Sequence, residues 1–378
     1  MKTHQEFRDT KIGKIPDEWE VVKLGDEEVT VLIMGQSPPS STYNNAGIGL
    51  PFLQGNAEFG EMYPMPVLSC SHPIKITEKN DILLSVRAPV GDVNIAPFKS
   101  CIGRGLAAIR PKGNKLDYFF LFYYLKLRSR LFESLSMGST FKAIRKMEIE
   151  KFRVLLPPLP EQKKIAEILS TVDQAIEKVD EAIVKTKRVK KGLMQELLNK
   201  GIGHKEFKQT EIGRIPDEWK VVRLGDISLD LIGGGTPSTS NPGYWNGDVA
   251  WMTSAHINDR EIKTGQRYIT KEGLQNSATS VVPEGNLLVA TRVGIGKAAI
   301  NKIDIAISQD LTGIMINKNR SIPDFVYWCL INNKNRLKSL AQGSTIKGIL
   351  RERLGNLRLP LPPLPEQKKI AEILSTVD

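Results

Sequence analysis

Two stretches of this chain recur almost verbatim at the spacing of a domain. Residues 10–26, TKIGKIPDEWEVVKLGD, return at 210–226 as TEIGRIPDEWKVVRLGD, with thirteen of seventeen positions identical. Residues 157–173, PPLPEQKKIAEILSTVD, return unchanged at 362–378. The offset grows from 200 to 205 residues between the two blocks, so the second copy holds about five more residues than the first. Solenoid repeats run at roughly 20–50 residues; this period is far longer and makes each copy a domain. The copies share their ends and differ in their middles, about 27–155 and 227–358. One scaffold carrying two different readers has that pattern.

At 378 residues the chain has room for two cores. It carries 53 Lys and Arg against 42 Asp and Glu, a net charge of +11. Such a balance fits a polyanionic partner, most often nucleic acid, although a basic soluble protein has it too. The three cysteines, Cys70, Cys101 and Cys329, lack metal-ligand spacing. Cys70 with His72 gives only two candidate ligands, short of a zinc site. A reduced, cytoplasmic protein is expected. The N-terminal residues lack the apolar stretch of a signal peptide, and no apolar run reaches the roughly eighteen residues of a membrane span.

The spacing predicts a long helix from Glu161 to Lys200. Ile165, Val172, Val179, Thr186 and Leu193 alternate with Leu169, Ile176, Ile183, Lys190 and Leu197 in a coiled-coil seam that weakens at Thr186 and Lys190. Prolines 157, 158 and 160 mark the start, where Glu161 meets the positive end of the helix dipole, and Gly201 suits a left-handed C-cap. One helix cannot bury its own seam, and the second copy supplies a partner near Glu366. An antiparallel pairing is expected, burying Ile165, Leu169, Val172 and Ile176. The second copy stops at Asp378, the counterpart of Asp173, so the seam around Leu193 and Leu197 is expected to lack native cover. These readings divide the chain into a first recognition domain (1–156), a central long helix (157–200), a second recognition domain (201–358) and the start of a distal helix (359–378).

The fold class expected is mixed α/β (α+β): two similar globular domains, pseudo-twofold related, joined by long antiparallel helices. DILLSVR at 81–87 aligns with NLLVATR at 286–292, and LAAIRP at 106–111 with LTGIMI at 311–316, as strand pairs. Tyr118–Leu135 reads as a buried amphipathic helix; its aromatics suit core packing better than base stacking, because the counterpart at 324–340 does not keep them. No phosphate-binding or dinucleotide-binding glycine loop is present, since Gly294-Ile295-Gly296-Lys297 has the wrong spacing. Asn241-Pro242-Gly243-Tyr244 reads as a turn rather than an amino-methyltransferase motif. IPDEW reads as an opening turn with a tryptophan anchor rather than a nuclease carboxylate pair. No catalytic set is found, and no catalysis by the chain alone is expected. A methyltransferase with an unrecognised motif is the rival reading, and a scaffold that never touches bases is a third.

The candidates for polyanion contact are residues at equivalent places. Gly138-Ser139-Thr140-x-Lys142 matches Gly343-Ser344-Thr345-x-Lys347; hydroxyls, backbone N–H groups and a lysine suit phosphate, and a helix-joining turn with a Ser or Thr cap suits the same residues. Arg87 and Arg292 each end a strand before a glycine loop, placed for phosphate or a guanine edge, or for a structural salt bridge. Base reading is expected where the copies differ: Gln36 and Ser37 against Thr236 and Ser238, Gln54 and Asn56 against Thr253, Ser254 and His256, and Arg104 against Gln309. Asn and Gln pair with adenine and Arg with guanine, so unequal residues read unequal half-sites. The basic run Lys185–Lys191 reads as a solvated or partner-facing helix face.

Duplicated PPLPEQKKIAEIL helix starts, the upstream GST-x-K-x-I stretch and the IPxxW opening together resemble the specificity subunit of Type I restriction-modification systems, over essentially the whole chain. The resemblance implies two target-recognition domains joined by conserved long helices. It implies a non-catalytic subunit that binds double-stranded DNA at an asymmetric bipartite target. It also implies two adenine methyltransferase (modification) subunits as partners, which carry the S-adenosylmethionine, and translocating restriction subunits.

Overall fold

The computed structural model describes residues 6–10, 13–136, 143–342 and 348–377. The chain divides into two compact units, Met1–Val179 and Asp180–Asp378. Each is mixed α/β with its own apolar core.

In the first unit one sheet runs Val93–Ile95, Ile82–Ser85, Leu106–Pro111, Thr30–Met34, antiparallel throughout. A second runs Tyr43–Asn44, Leu68–Cys70, Leu50–Leu53, Ser100–Ile102, Ile76–Thr77. Its pair Leu50–Leu53 and Ser100–Ile102 is parallel. A two-stranded ladder joins the shared ends, Glu20–Lys23 against Arg153–Leu156. The second unit repeats the plan. Ser228–Gly233, Leu311–Ile316, Leu287–Ala290 and Ala298–Asn301 form one sheet, with Glu261–Ile262 added. Arg267–Ile269, Trp245–Met252, Ile305–Ile307 and Ser280–Val282 form the other, and Lys220–Arg223 pairs with Arg358–Leu361. The strands expected from DILLSVR, NLLVATR, LAAIRP and LTGIMI are all present. Ile82–Ser85 and Leu287–Ala290 are buried at every residue, which is why they read as continuous apolar runs rather than alternating ones.

The single helix expected over Tyr118–Leu135 is two, Tyr118–Leu127 and Ser129–Leu135. Arg128, at φ −102° and ψ 10°, leaves the helical region between them. The second unit breaks at the same place, at Asn333 between Pro323–Asn332 and Lys334–Ser339. Phe120, Leu121, Phe122, Tyr124, Leu125 and Phe132 are buried in the first core, so the aromatics pack rather than stack on bases.

The long helix spans Leu159–Lys200, 42 residues or about 63 Å at ~1.5 Å per residue. It starts in the first unit and ends in the second. Gly201 closes it at φ +66°, the left-handed cap expected. Two expectations about its seam need correction. Ile165 is only half-buried, against the first core, while Leu169, Val172 and Ile176 are 39%, 51% and 55% exposed. The physical reason lies in the helix Leu364–Thr376. Its apolar residues Ile370, Ala371 and Leu374 are at most 3% exposed inside the second core. A helix of 13 residues has one such face, and here it is already spent. At the other end, Leu197 does not lack cover: Met194, Leu197 and Leu198 are at most 9% exposed in the second core, with Leu193 packed against it. The unit itself covers that turn, at about 1.5–3 kcal/mol per buried side chain. Lys185, Lys187 and Arg188 are exposed, and half-buried Lys190 lies 5.2 Å from the centre of the Trp328 ring, as a solvated or partner-facing face requires.

Candidate nucleic-acid interface

The shared blocks form a clamp, built twice, that orients each helix start against its own unit. In the first unit Trp19 Nε1 donates to Glu161 at 3.0 Å; in the second Trp219 Nε1 donates to Glu366 at 3.0 Å. The tryptophan anchor of IPDEW thus grips the glutamate of PLPEQ. The adjacent glutamines are fully buried. Gln162 accepts from Asp117 N and donates to the carbonyls of Lys115 and Pro157. Gln367 accepts from Ser321 Oγ and Ile322 N and donates to the carbonyls of Arg320 and Pro362. In the second unit Glu366 also receives His204 Nε2 at 2.8 Å and Ile202 N at 3.0 Å, tying the residues just after the long helix to the start of the next. Sequence reasoning missed the glutamines; their recurrence in an invariant block was the signal.

On this scaffold the candidate loops converge. In the first unit Gly35 N donates to Leu106 O at 2.9 Å and Gln36 N to Ile102 O at 3.1 Å. Gly103 N donates to Leu53 O at 2.8 Å, Val86 N to Gly105 O at 2.9 Å, and Arg104 N to Ser37 Oγ at 3.1 Å. Gln36, Ser37, Gln54, Arg104 and Arg87 therefore lie on one face. Gly105 is required there, because a Cβ would sit 2.5 Å from Gln54 O. Asn56 joins them with its Nδ2 held by Asp92 at 2.9 Å. Gln36, Gln54, Arg87 and Arg104 are exposed.

The second unit assembles the same face from different residues. Gly235 N donates to Ile307 O and Ser308 N to Met252 O, each at 3.0 Å; Thr291 N donates to Asp310 O at 2.8 Å. Thr236 Oγ1 donates to Gln309 Oε1 at 2.7 Å. Thr236, Gln309 and Arg292 are exposed. Arg87 and Arg292 are both exposed, and among the described residues neither forms an ion pair. Thr253 is half-buried, and its hydroxyl donates to Gln266 Oε1 at 2.9 Å. His256 donates from Nε2 to Thr264 O at 3.1 Å. Ser238 pairs with Ser240 at 2.8 Å. Ser254 is a correction: the short turn Ser254–His256 turns it inward to 2% exposure, out of reach of a ligand.

Ser139, Thr140, Lys142, Ser344, Thr345 and Lys347 lie outside the described residues. The chain resumes beside the arginines: Ala143 bridges Arg87, and Ile349 N donates to Thr291 O at 2.8 Å. Asn241 caps its short turn, with Gly243 N donating to Asn241 Oδ1 at 3.0 Å, as the turn reading requires. Among the described residues no group of three or more His, Cys, Asp or Glu could hold a metal. No helix of the described residues is long and apolar enough to cross a membrane.

The chain matches the family described as Type I restriction modification DNA specificity domain twice, over residues 16–185 and 216–378. It is 53% identical over 195 residues to the type I restriction enzyme MjaX specificity subunit of Methanocaldococcus jannaschii, covering 52% of this chain and 46% of that protein. The chain thus spans about half the length of that relative. Against the MjaVIII specificity subunit of the same organism it is 27% identical over 390 residues, covering 99% of this chain and 89% of that protein. The crystal structure of a type I restriction-modification S subunit from M. genitalium shares the fold, with TM-score 0.61 at 16% identity, covering 95% of this chain and 89% of that one. Two matched domains, two clamps and two loop faces on one chain agree with these likenesses, and the chain belongs to the Type I restriction-modification DNA specificity family.

Proposed function

We propose that this chain is the non-catalytic, DNA-reading subunit of a Type I restriction-modification complex. In this reading each unit's loop face docks on one half of a bipartite, asymmetric duplex target, in the cytoplasm. Adenine methyltransferase subunits carrying S-adenosylmethionine, and translocating restriction subunits, act on what the chain reads. The observation that carries the proposal is the duplicated face with unequal side chains. Arg104 stands where the other unit has Gln309, and Gln54 and Asn56 face the Thr253–His256 turn, while an exposed arginine, Arg87 or Arg292, recurs beside both. Recurring cations suit a phosphate backbone that is the same everywhere, and varied amides and guanidinium groups suit bases that are not. The two GST-x-K stretches, with Ser139, Thr140 and Lys142 and with Ser344, Thr345 and Lys347, join the arginines as phosphate contacts in this reading.

The test is selection by the full chain from a random duplex library. The expected outcome is one enriched bipartite sequence with two different halves; enrichment of none contradicts the proposal. Binding is also expected to fall steeply with salt. Neutralising about six phosphates gives a log–log slope near −5. Lys142→Ala or Lys347→Ala is expected to flatten that slope by about one unit and to weaken all sequences alike. Titration in increasing salt checks this, and a change in sequence preference contradicts the phosphate role.

A further inference from the structure

The strand registers of the two units bring into correspondence two residues that the sequence blocks do not align. In the second unit Trp251 lies opposite both Arg267 and Ala306; in the first, Phe52 lies opposite both Leu68 and Cys101. The residue just before Arg267 is Gln266, whose N donates to Trp251 O at 3.0 Å, and the residue just before Leu68 is Val67. Both residues therefore sit where a strand passes into a candidate reading loop. Both are exposed, Val67 at 80%.

Chemistry fixes the orientation of Gln266. A backbone N–H can only donate, and Thr253 N donates to Gln266 Oε1 at 2.9 Å; Thr253 Oγ1 donates to the same oxygen at 2.9 Å. The oxygen is turned inward and the amide nitrogen outward, where among the described residues it has no hydrogen-bond partner. Gln309 is oriented the same way, its oxygen accepting from Thr236. The first unit offers no such donor at this place, only the methyl groups of Val67.

We propose that positions 266 and 67 read base edges in their respective half-sites. Gln266 donates its amide hydrogens to an acceptor, guanine O6 or N7, adenine N7 or thymine O4, and Val67 contacts a thymine methyl group. The inference rests on the DNA-reading function proposed above. It is tested by the full chain selecting from a random duplex library. Gln266→Glu keeps an oxygen for Thr253 N–H and replaces the outward donor with an acceptor. It is expected to switch one position of one half-site to cytosine, whose major-groove edge offers an amino donor and no acceptor, by about tenfold. Gln266→Val copies the first unit and is expected to favour thymine there. The other half-site stays unchanged in both. If the glutamate variant selects the wild-type sequence, the inference is overturned, whatever the valine variant does. If the wild-type chain selects no sequence, the DNA-reading function falls and this inference with it.

Discussion

Gln367→Leu is expected to destabilise the second unit by about 3–5 kcal/mol, among the largest effects of any single substitution in the chain. The side chain is fully buried and makes four hydrogen bonds. Leucine has nearly the same bulk, so packing changes little. Left behind without partners, however, are the Ser321 hydroxyl, the Ile322 N–H and two carbonyls, around a side chain that is itself fully buried. Each orphaned group costs about 1–3 kcal/mol, and local relaxation recovers part of the sum. Gln162→Leu is expected to do the same to the first unit, slightly less, because it strands three groups rather than four. Lys368→Leu, on an exposed position of the same helix, is the control and is expected to stay within about 0.5 kcal/mol. Urea unfolding followed by tryptophan fluorescence is the measurement, since Trp219 is fully buried beside the clamp. An unchanged midpoint for Gln367→Leu would show that the clamp is not what fixes the helix start.

The clamp also marks where sequence reading succeeds and where it stops. IPDEW and PLPEQ were visible as repeated blocks, and a tryptophan anchor was legible because an isolated aromatic in a polar turn needs somewhere to go. That Trp19 and Trp219 end on Glu161 and Glu366 was not legible, because the partners lie 142 and 147 residues away. Gln162 and Gln367 were invisible as anchors because their partners are mostly backbone groups, which leave no trace in residue type. The pairing of Arg104 with Gln309 was legible from spacing to the next strand. The pairing of Val67 with Gln266 was not, because it passes through strand register. The helix seam erred differently. A heptad announces an apolar stripe but does not name its cover, and the residues that were to cover Ile176 are committed to the second core. Ser254 looked like its neighbours in composition, and only the direction of a short turn removed it from the surface.

Specificity is expected to travel with the middles. The loops of each unit hang on its own two sheets, and the shared blocks meet those sheets through matched ladders, with Arg153 opposite Lys23 and Arg358 opposite Arg223. Those two arginines are equivalent joints. Residues 27–153 can therefore replace 227–358 without breaking either ladder, leaving both clamps and the long helix intact. The exchanged face gains Gln36, Gln54, Arg87 and Arg104 and loses Thr236, Gln266, Arg292 and Gln309. Each read base pair contributes about 1–3 kcal/mol, so exchanging three or more changes preference by at least about a hundredfold in the exchanged half. The measurement that bears most directly on this account is selection by the exchanged chain from a random duplex library, beside the wild-type chain. The account predicts a target built from two copies of the wild type's first half-site, with its spacer nearly unchanged. Recovery of the original asymmetric target by the exchanged chain would contradict it.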